Sequence, residues 1–134
     1  VQARKAELEI ERMQAARKLF ELTDLNDDGY ITVDEFVLMG LNQTRAHAEK
    51  KMSPEEEQRI KYMLAERFHR DIDSSFGPVN YDTYRDYILR SVNTMDPGDV
   101  EAQSMIFDGL LVEATIARQM VQEQTALPVA LSLP

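Results

Sequence analysis

Between Asp24 and Glu35 the chain sets an oxygen-bearing side chain at the first, third, fifth, ninth and twelfth places of a twelve-residue stretch: Asp24, Asn26, Asp28, Thr32 and Glu35. Gly29 holds the sixth place, where a positive φ lets the backbone turn sharply. Both flanks read as helix. Residues 3–23 contain no Gly or Pro and repeat Leu8, Met13, Ala16, Leu19 and Phe20 at near-helical spacing. A second helix starts near Val33 and runs through Phe36, Val37 and Leu41 as far as Lys50. Helix, tight oxygen-lined loop and helix is the fold this pattern demands. Capping two helices would require neither the central glycine nor the terminal glutamate.

A hard divalent cation takes six to eight oxygens at about 2.3–2.6 Å, and a loop of this length supplies them from those places. The stretch resembles the EF-hand loop, D-x-[DN]-x-[DN]-G with Glu at the twelfth position. The resemblance implies one bound Ca²⁺. Its ligands would be the side chains of Asp24, Asn26 and Asp28, the Tyr30 carbonyl, Thr32 directly or through water, and both oxygens of Glu35. Bidentate Glu35 favours Ca²⁺ over Mg²⁺, which prefers a tighter octahedron. Asp27 and Asp34 are not ligands in this pattern and deepen the local negative potential.

A second copy follows at an offset of 48: Phe20 falls on Phe68, Gly29 on Gly77, Ile31 on Val79 and Phe36 on Tyr84. Ser53, Pro54 and Glu56 give its first helix an N-cap, a proline in the first turn and a capping box, and that helix stops around Asp71. Its loop offers Ile72, Ser74, Phe76, Asn80 and Thr83 at the ligand places; starting at Asp71 instead puts Phe76 where glycine is needed. Either way it is expected to bind no Ca²⁺ and to serve as a structural partner, with Gly77-Pro78 shaping the turn. EF-hands are expected to pair through the eighth loop residues, here Ile31 and Val79. The expected fold is all-α: paired EF-hands with a short two-stranded loop bridge and an additional C-terminal helix.

The organisation expected is an EF-hand pair over residues 1–95, with hand one about 3–50 and degenerate hand two about 53–95. A C-terminal apolar helix over 96–124 and an uncharged, extended tail over 125–134 follow. Asp96-Pro97-Gly98-Asp99 opens the last helix. Met105, Ile106, Phe107, Leu110, Leu111, Val112, Ile116, Met120 and Val121 cover more than half its circumference, wider than a surface helix needs. Packing on its own hands is the favoured reading. The arc also leaves room for a protein partner, for which Ile106, Phe107, Leu110, Leu111, Ile116 and Met120 are the candidate contacts. His47 and His69 lie apart from other ligand-type residues and read as surface positions. In the tail, Pro128 and Pro134 argue against a stable helix, and its apolar residues would suit docking into a groove.

Charge and composition narrow the function. With 15 Lys+Arg against 24 Asp+Glu, the net charge is −9, a poor footprint for a nucleic-acid binder. No cysteine is present, which removes thiolate metal sites and Cys nucleophiles. No apolar run approaches the ~20 residues of a membrane span, and no nucleophile–base or phosphate-loop motif points to an enzyme. The chain opens on Val1 rather than Met, as expected after removal of a leader or trimming, and no signal or transit segment remains in it to identify a compartment; a cytoplasmic setting is slightly preferred to a processed organellar one. The expected function is a Ca²⁺-binding regulatory or adaptor protein with one working site and an apolar helix-binding surface. The alternatives are a structural subunit in which Ca²⁺ stabilises the first hand and, ranked last, a Ca²⁺ buffer.

Overall fold

The computed structural model describes the backbone over residues 2–132 and the side chains over 3–124. Five helices follow one another: α1 (Gln2–Thr23), α2 (Val33–His47), α3 (Pro54–Asp71), α4 (Tyr81–Met95) and α5 (Val100–Ser132). The fold is all-α. Among the described residues no strand forms. The sole β pairing is one isolated antiparallel bridge, Ile31 with Val79, closed by N–H···O bonds of 2.8 and 2.9 Å.

From α2 onward each helix start has a local chemical cause. Thr32 caps α2 by accepting from the Glu35 N–H, and Glu35 reaches back to the Thr32 N–H, so the reciprocal capping box sits here. Ser53 caps α3, with Pro54 in the first turn. Glu56, however, accepts from the Ser53 hydroxyl, so that cap lacks the return bond the sequence pattern implied. Asn80 caps α4 through the Thr83 N–H. Asp99 rather than Asp96 caps α5, accepting from the Ala102 N–H, and the helix therefore begins at Val100. α2 ends at His47, short of Lys50.

The core draws on all five helices and both loops. Ala16, Leu19 and Phe20 of α1, Phe68 of α3, Tyr84, Ile88 and Val92 of α4, and Phe107, Ala114 and Ala117 of α5 are buried with Ile31, Met39 and Val79. Aromatic rings interlock at its centre: Phe20 lies 5.6 and 5.9 Å from Tyr81 and Tyr84, and Phe36 lies 5.6 Å from Phe68. At Gly40, α2 approaches α3 so closely that an added Cβ would stand 2.7 Å from a Leu64 methyl.

α5 packs most extensively on α1 and next on α2, with little on α4. It therefore lies across the two helices that flank the first loop. The six residues considered for partner contact divide accordingly. Phe107 is wholly interior, Ile106, Leu110 and Leu111 pack against the core, Met120 is half-buried, and only Ile116 is exposed. The first four belong to the protein's own interior, because they sit on the arc turned toward α1 and α2. The tail also departs from expectation, since the helical backbone continues through Pro128 to Ser132. Proline's fixed φ is helix-compatible, and its cost is one lost bond and crowding of the carbonyl four residues earlier. Docking of the tail side chains lies outside the described residues.

Candidate metal centre

The loop between α1 and α2 is closed by its own carboxylates. Asp24, at the end of α1, is only 4% exposed and accepts from the N–H groups of Asp28 (3.3 Å) and Gly29 (2.8 Å). Gly29 has φ +86°, the left-handed backbone its place in the turn requires. Asp27 also adopts positive φ, at +54°. Asp28 accepts from the Tyr30 N–H at 3.0 Å. At the far end Glu35, 9% exposed, folds over the loop. One of its oxygens accepts from the N–H groups of Leu25 (2.7 Å) and Asn26 (3.3 Å), the other from the Thr32 N–H (2.9 Å) and hydroxyl (3.3 Å). A capping box accounts for the Thr32 bonds. It does not account for the reach across to Leu25 and Asn26.

Three of the sequence-derived ligands converge directly. The Asn26 amide lies between the two acids and donates to Oδ1 of both Asp24 and Asp28 across 3.0 Å. Thr32 and Glu35 are joined to one another, and the Tyr30 ring is turned outward, leaving its backbone as its contribution to the loop. The carboxylates alone do not build a cage: among the described residues no three Asp, Glu or His side chains stand close enough together to hold a metal. Any cation here would rely on the mixed set, with the Asn26 amide, the Tyr30 carbonyl and the Thr32 hydroxyl beside the acids. That set fits a hard dication. Two nearly buried carboxylates, Asp24 and Glu35, have no ion-pair partner among the described residues. Their charge is offset by backbone N–H groups, the Thr32 hydroxyl and the Asn26 amide, and a dication would compensate it further.

The second loop closes by different means. Asp73, at neither of the two expected first positions, accepts from the Ser75 hydroxyl (2.8 Å) and the Gly77 N–H (2.7 Å). Those bonds, the Ser75 hydroxyl foremost, hold its carboxyl below the usual carboxylate range. Phe76, at φ +57°, supplies the left-handed turn expected of Gly77. Its ring stacks on His69 at 4.7 Å, so His69 is a half-buried stacking partner rather than a solvent-facing surface residue.

Arg118 was not among the expected site residues, and it joins α5 to the loop. Its guanidinium donates to the carbonyls of Glu21 (2.7 Å), Leu22 (3.2 Å) and Asp24 (3.3 Å), the carbonyl end of α1 where cations are favoured. It is the only basic residue after Arg90, a signal open to view in the sequence. Gln124 donates to Asn42 of α2, and Gln103 is bonded to Arg12, Asn93 and the Asp96 carbonyl. Compared with protein-family models, curated proteins and solved structures, the chain finds no match.

Proposed function

We propose that this chain is an EF-hand-type Ca²⁺-binding protein that takes one ion in the loop from Asp24 to Glu35 and acts as a regulatory or adaptor protein. The observation that carries the reading is the meeting of Asp24, Asn26 and Asp28 at one point beneath a Glu35 that spans the loop. Asp24, Asn26, Asp28, the Tyr30 carbonyl, Thr32 and Glu35 would hold the ion. Bound there, it supplies two positive charges to a site with three carboxylates. The second loop is the structural partner, since the Ile31–Val79 bridge ties the two loops and Asp73 closes its turn without metal. Ion binding would bias the geometry of α1 and α2, which share a cavity of about 170 Å³ with Leu64, Tyr84, Tyr87 and Leu110.

A second reading, that Ca²⁺ stiffens a structural subunit, draws support from α5. Arg118 and Gln124 fasten that helix to α1 and α2, restricting how far the pair can open. Calorimetric titration of the whole chain with Ca²⁺ tests the metal site: one ion per chain is expected, and Asp24→Ala should abolish it. No saturable heat, or unchanged binding in Asp24→Ala, refutes the site. Dye binding to apolar surface then separates the two roles, rising on Ca²⁺ addition for a regulator and staying flat for a stiffened subunit.

A further inference from the structure

α5 has a second apolar face. Met105, Val112 and Ile116 are 75%, 60% and 45% exposed. At 100° per residue these positions and Gly109 share one narrow stripe, opposite the buried Gln103, Phe107, Ala114 and Val121. The spacing of four, three and four residues is that of a coiled-coil seam. An added Cβ at Gly109 would meet nothing within 4 Å, so the backbone there is open to close approach. The stripe is about 16 Å long by helical rise.

Its frame is acidic. Glu101 and Glu123 lie in line beyond its two ends, Asp108 on one side and Glu113 on the other, the last bonded to His47 at 3.0 Å. The one cation of α5, Arg118, is turned away onto the α1 carbonyls. Beyond Asp108, Lys18 of α1 shares a cleft with Glu11 and with Arg12, which is bonded to Gln103. Acid dominates the immediate rim.

We infer that the Met105–Gly109–Val112–Ile116 face of α5 docks a basic amphipathic helix of a protein partner. Apolar side chains of that helix at i, i+3 and i+4 spacing would seat on the stripe, and its Lys or Arg residues would meet Glu101, Asp108 and Glu123. A second copy of this chain fits poorly. The acidic residues framing the stripe would face their own copies across it, like charge against like. The inference deepens the adaptor half of the proposed function and does not require the ion, because the stripe lies on the helix face turned away from the core.

The test uses the whole chain and a synthetic 18-residue Leu/Lys helix with leucines at that spacing, beside the same peptide with Glu replacing Lys. Fluorescence anisotropy should give saturable binding of the Lys peptide and at least tenfold weaker binding of the Glu peptide. Val112→Lys, at an exposed position that leaves the fold intact by circular dichroism, should weaken the Lys peptide at least tenfold. Binding should be the same in Ca²⁺ and in EDTA, so failure of the metal site leaves this result standing. Equal binding of both peptides, or Lys-peptide binding unchanged by Val112→Lys, overturns the inference. So does a concentration-dependent dimer in sedimentation that Val112→Lys dissolves, which would assign the face to self-association.

Discussion

Replacing Glu35 by Gln separates a helix cap from a metal ligand, because the structure shows the residue capping α2 and the proposed function adds a ligand role. Without metal its two oxygens accept four hydrogen bonds, three of them from backbone N–H groups on opposite sides of the loop. A glutamine has one oxygen. Its most favourable rotamer keeps that oxygen on Leu25 and Asn26 and turns the NH₂ toward Thr32, whose hydroxyl can accept but whose N–H loses its partner. Leaving this half-buried donor without its partner costs about 1–3 kcal/mol at most; relief of repulsion among the loop's carboxylates trims that figure. For a chain of this size the loss corresponds to roughly 3–10 °C in Tm, measured in EDTA. Calcium at a hundred times its Kd adds about 2.7 kcal/mol to the wild type, or roughly 10 °C. The expected result by scanning calorimetry is therefore two separate effects: a modest fall in EDTA, and near-complete loss of the Ca²⁺-dependent rise. If the wild type melts at the same temperature in Ca²⁺ and EDTA while Glu35→Gln still lowers it, the residue is a cap alone and the metal assignment fails.

Phe107→Ala should lower stability by about 3–5 kcal/mol, read from the urea midpoint, because that wholly buried ring joins α5 to the core. Burial pushes the Tyr84 hydroxyl up to about 12, with a Thr23 hydrogen bond opposing. Its raised folded value means its stability contribution is complete below about pH 10 and is lost as pH climbs toward 12. Tyr84→Phe should accordingly remove the latest step of the tyrosinate absorbance titration and flatten the alkaline fall in stability. Asp73 has the opposite sign: its lowered carboxyl value contributes above pH 3.8, the ordinary value for aspartate, and that contribution is lost as pH falls through the folded value. Asp73→Asn should reduce the acid sensitivity of the second loop, followed by NMR of the Gly77 amide. Arg118→Gln should weaken α5 docking by about 1–2 kcal/mol in EDTA and tighten Ca²⁺ a few-fold by removing a cation beside Asp24, read by hydrogen exchange of α5 and by calorimetry.

Where backbone chemistry is local, the sequence disclosed the structure well. The first three helices begin and end within a few residues of their expected bounds, because Thr32 and Ser53 cap within three residues of themselves. The position of the first loop was legible for the same reason, since Thr32 and Glu35 close it at the start of α2. What escaped was set by distance along the chain. Arg118 meets Asp24 across a separation of 94 residues and Gln124 meets Asn42 across 82, and no periodicity carries that information. The second loop misled in another way. Class similarity at an offset of 48 aligns Gly29 with Gly77, yet the bonds align Asp24 with Asp73, so that loop is one residue shorter before its bridging valine.

That one-residue difference bears on why the two loops behave differently. From Asp24 to Ile31 the first loop has room for Asn26 and Asp28 to turn inward, and Gly29 bears the positive φ without strain. From Asp73 to Val79 the second loop must reverse sooner: Phe76 takes the left-handed place that Asp27 holds in the first loop, and the second left-handed residue, Gly29, has no counterpart. A bulky residue there carries a backbone cost, offset by the stack of its ring on His69. With Asp73 committed to Ser75 and Gly77, the turn is already closed by neutral donors, and no cluster of carboxylates remains in need of a cation. The bridge between Ile31 and Val79 ties that closed turn to the first loop, where the Asn26 amide stands between the Asp24 and Asp28 carboxylates. The two loops thus differ in one respect that bears on the proposed site: Asp24 and Glu35 of the first are nearly buried without an ion pair among the described residues, whereas Asp73 of the second is satisfied at its surface by Ser75 and Gly77.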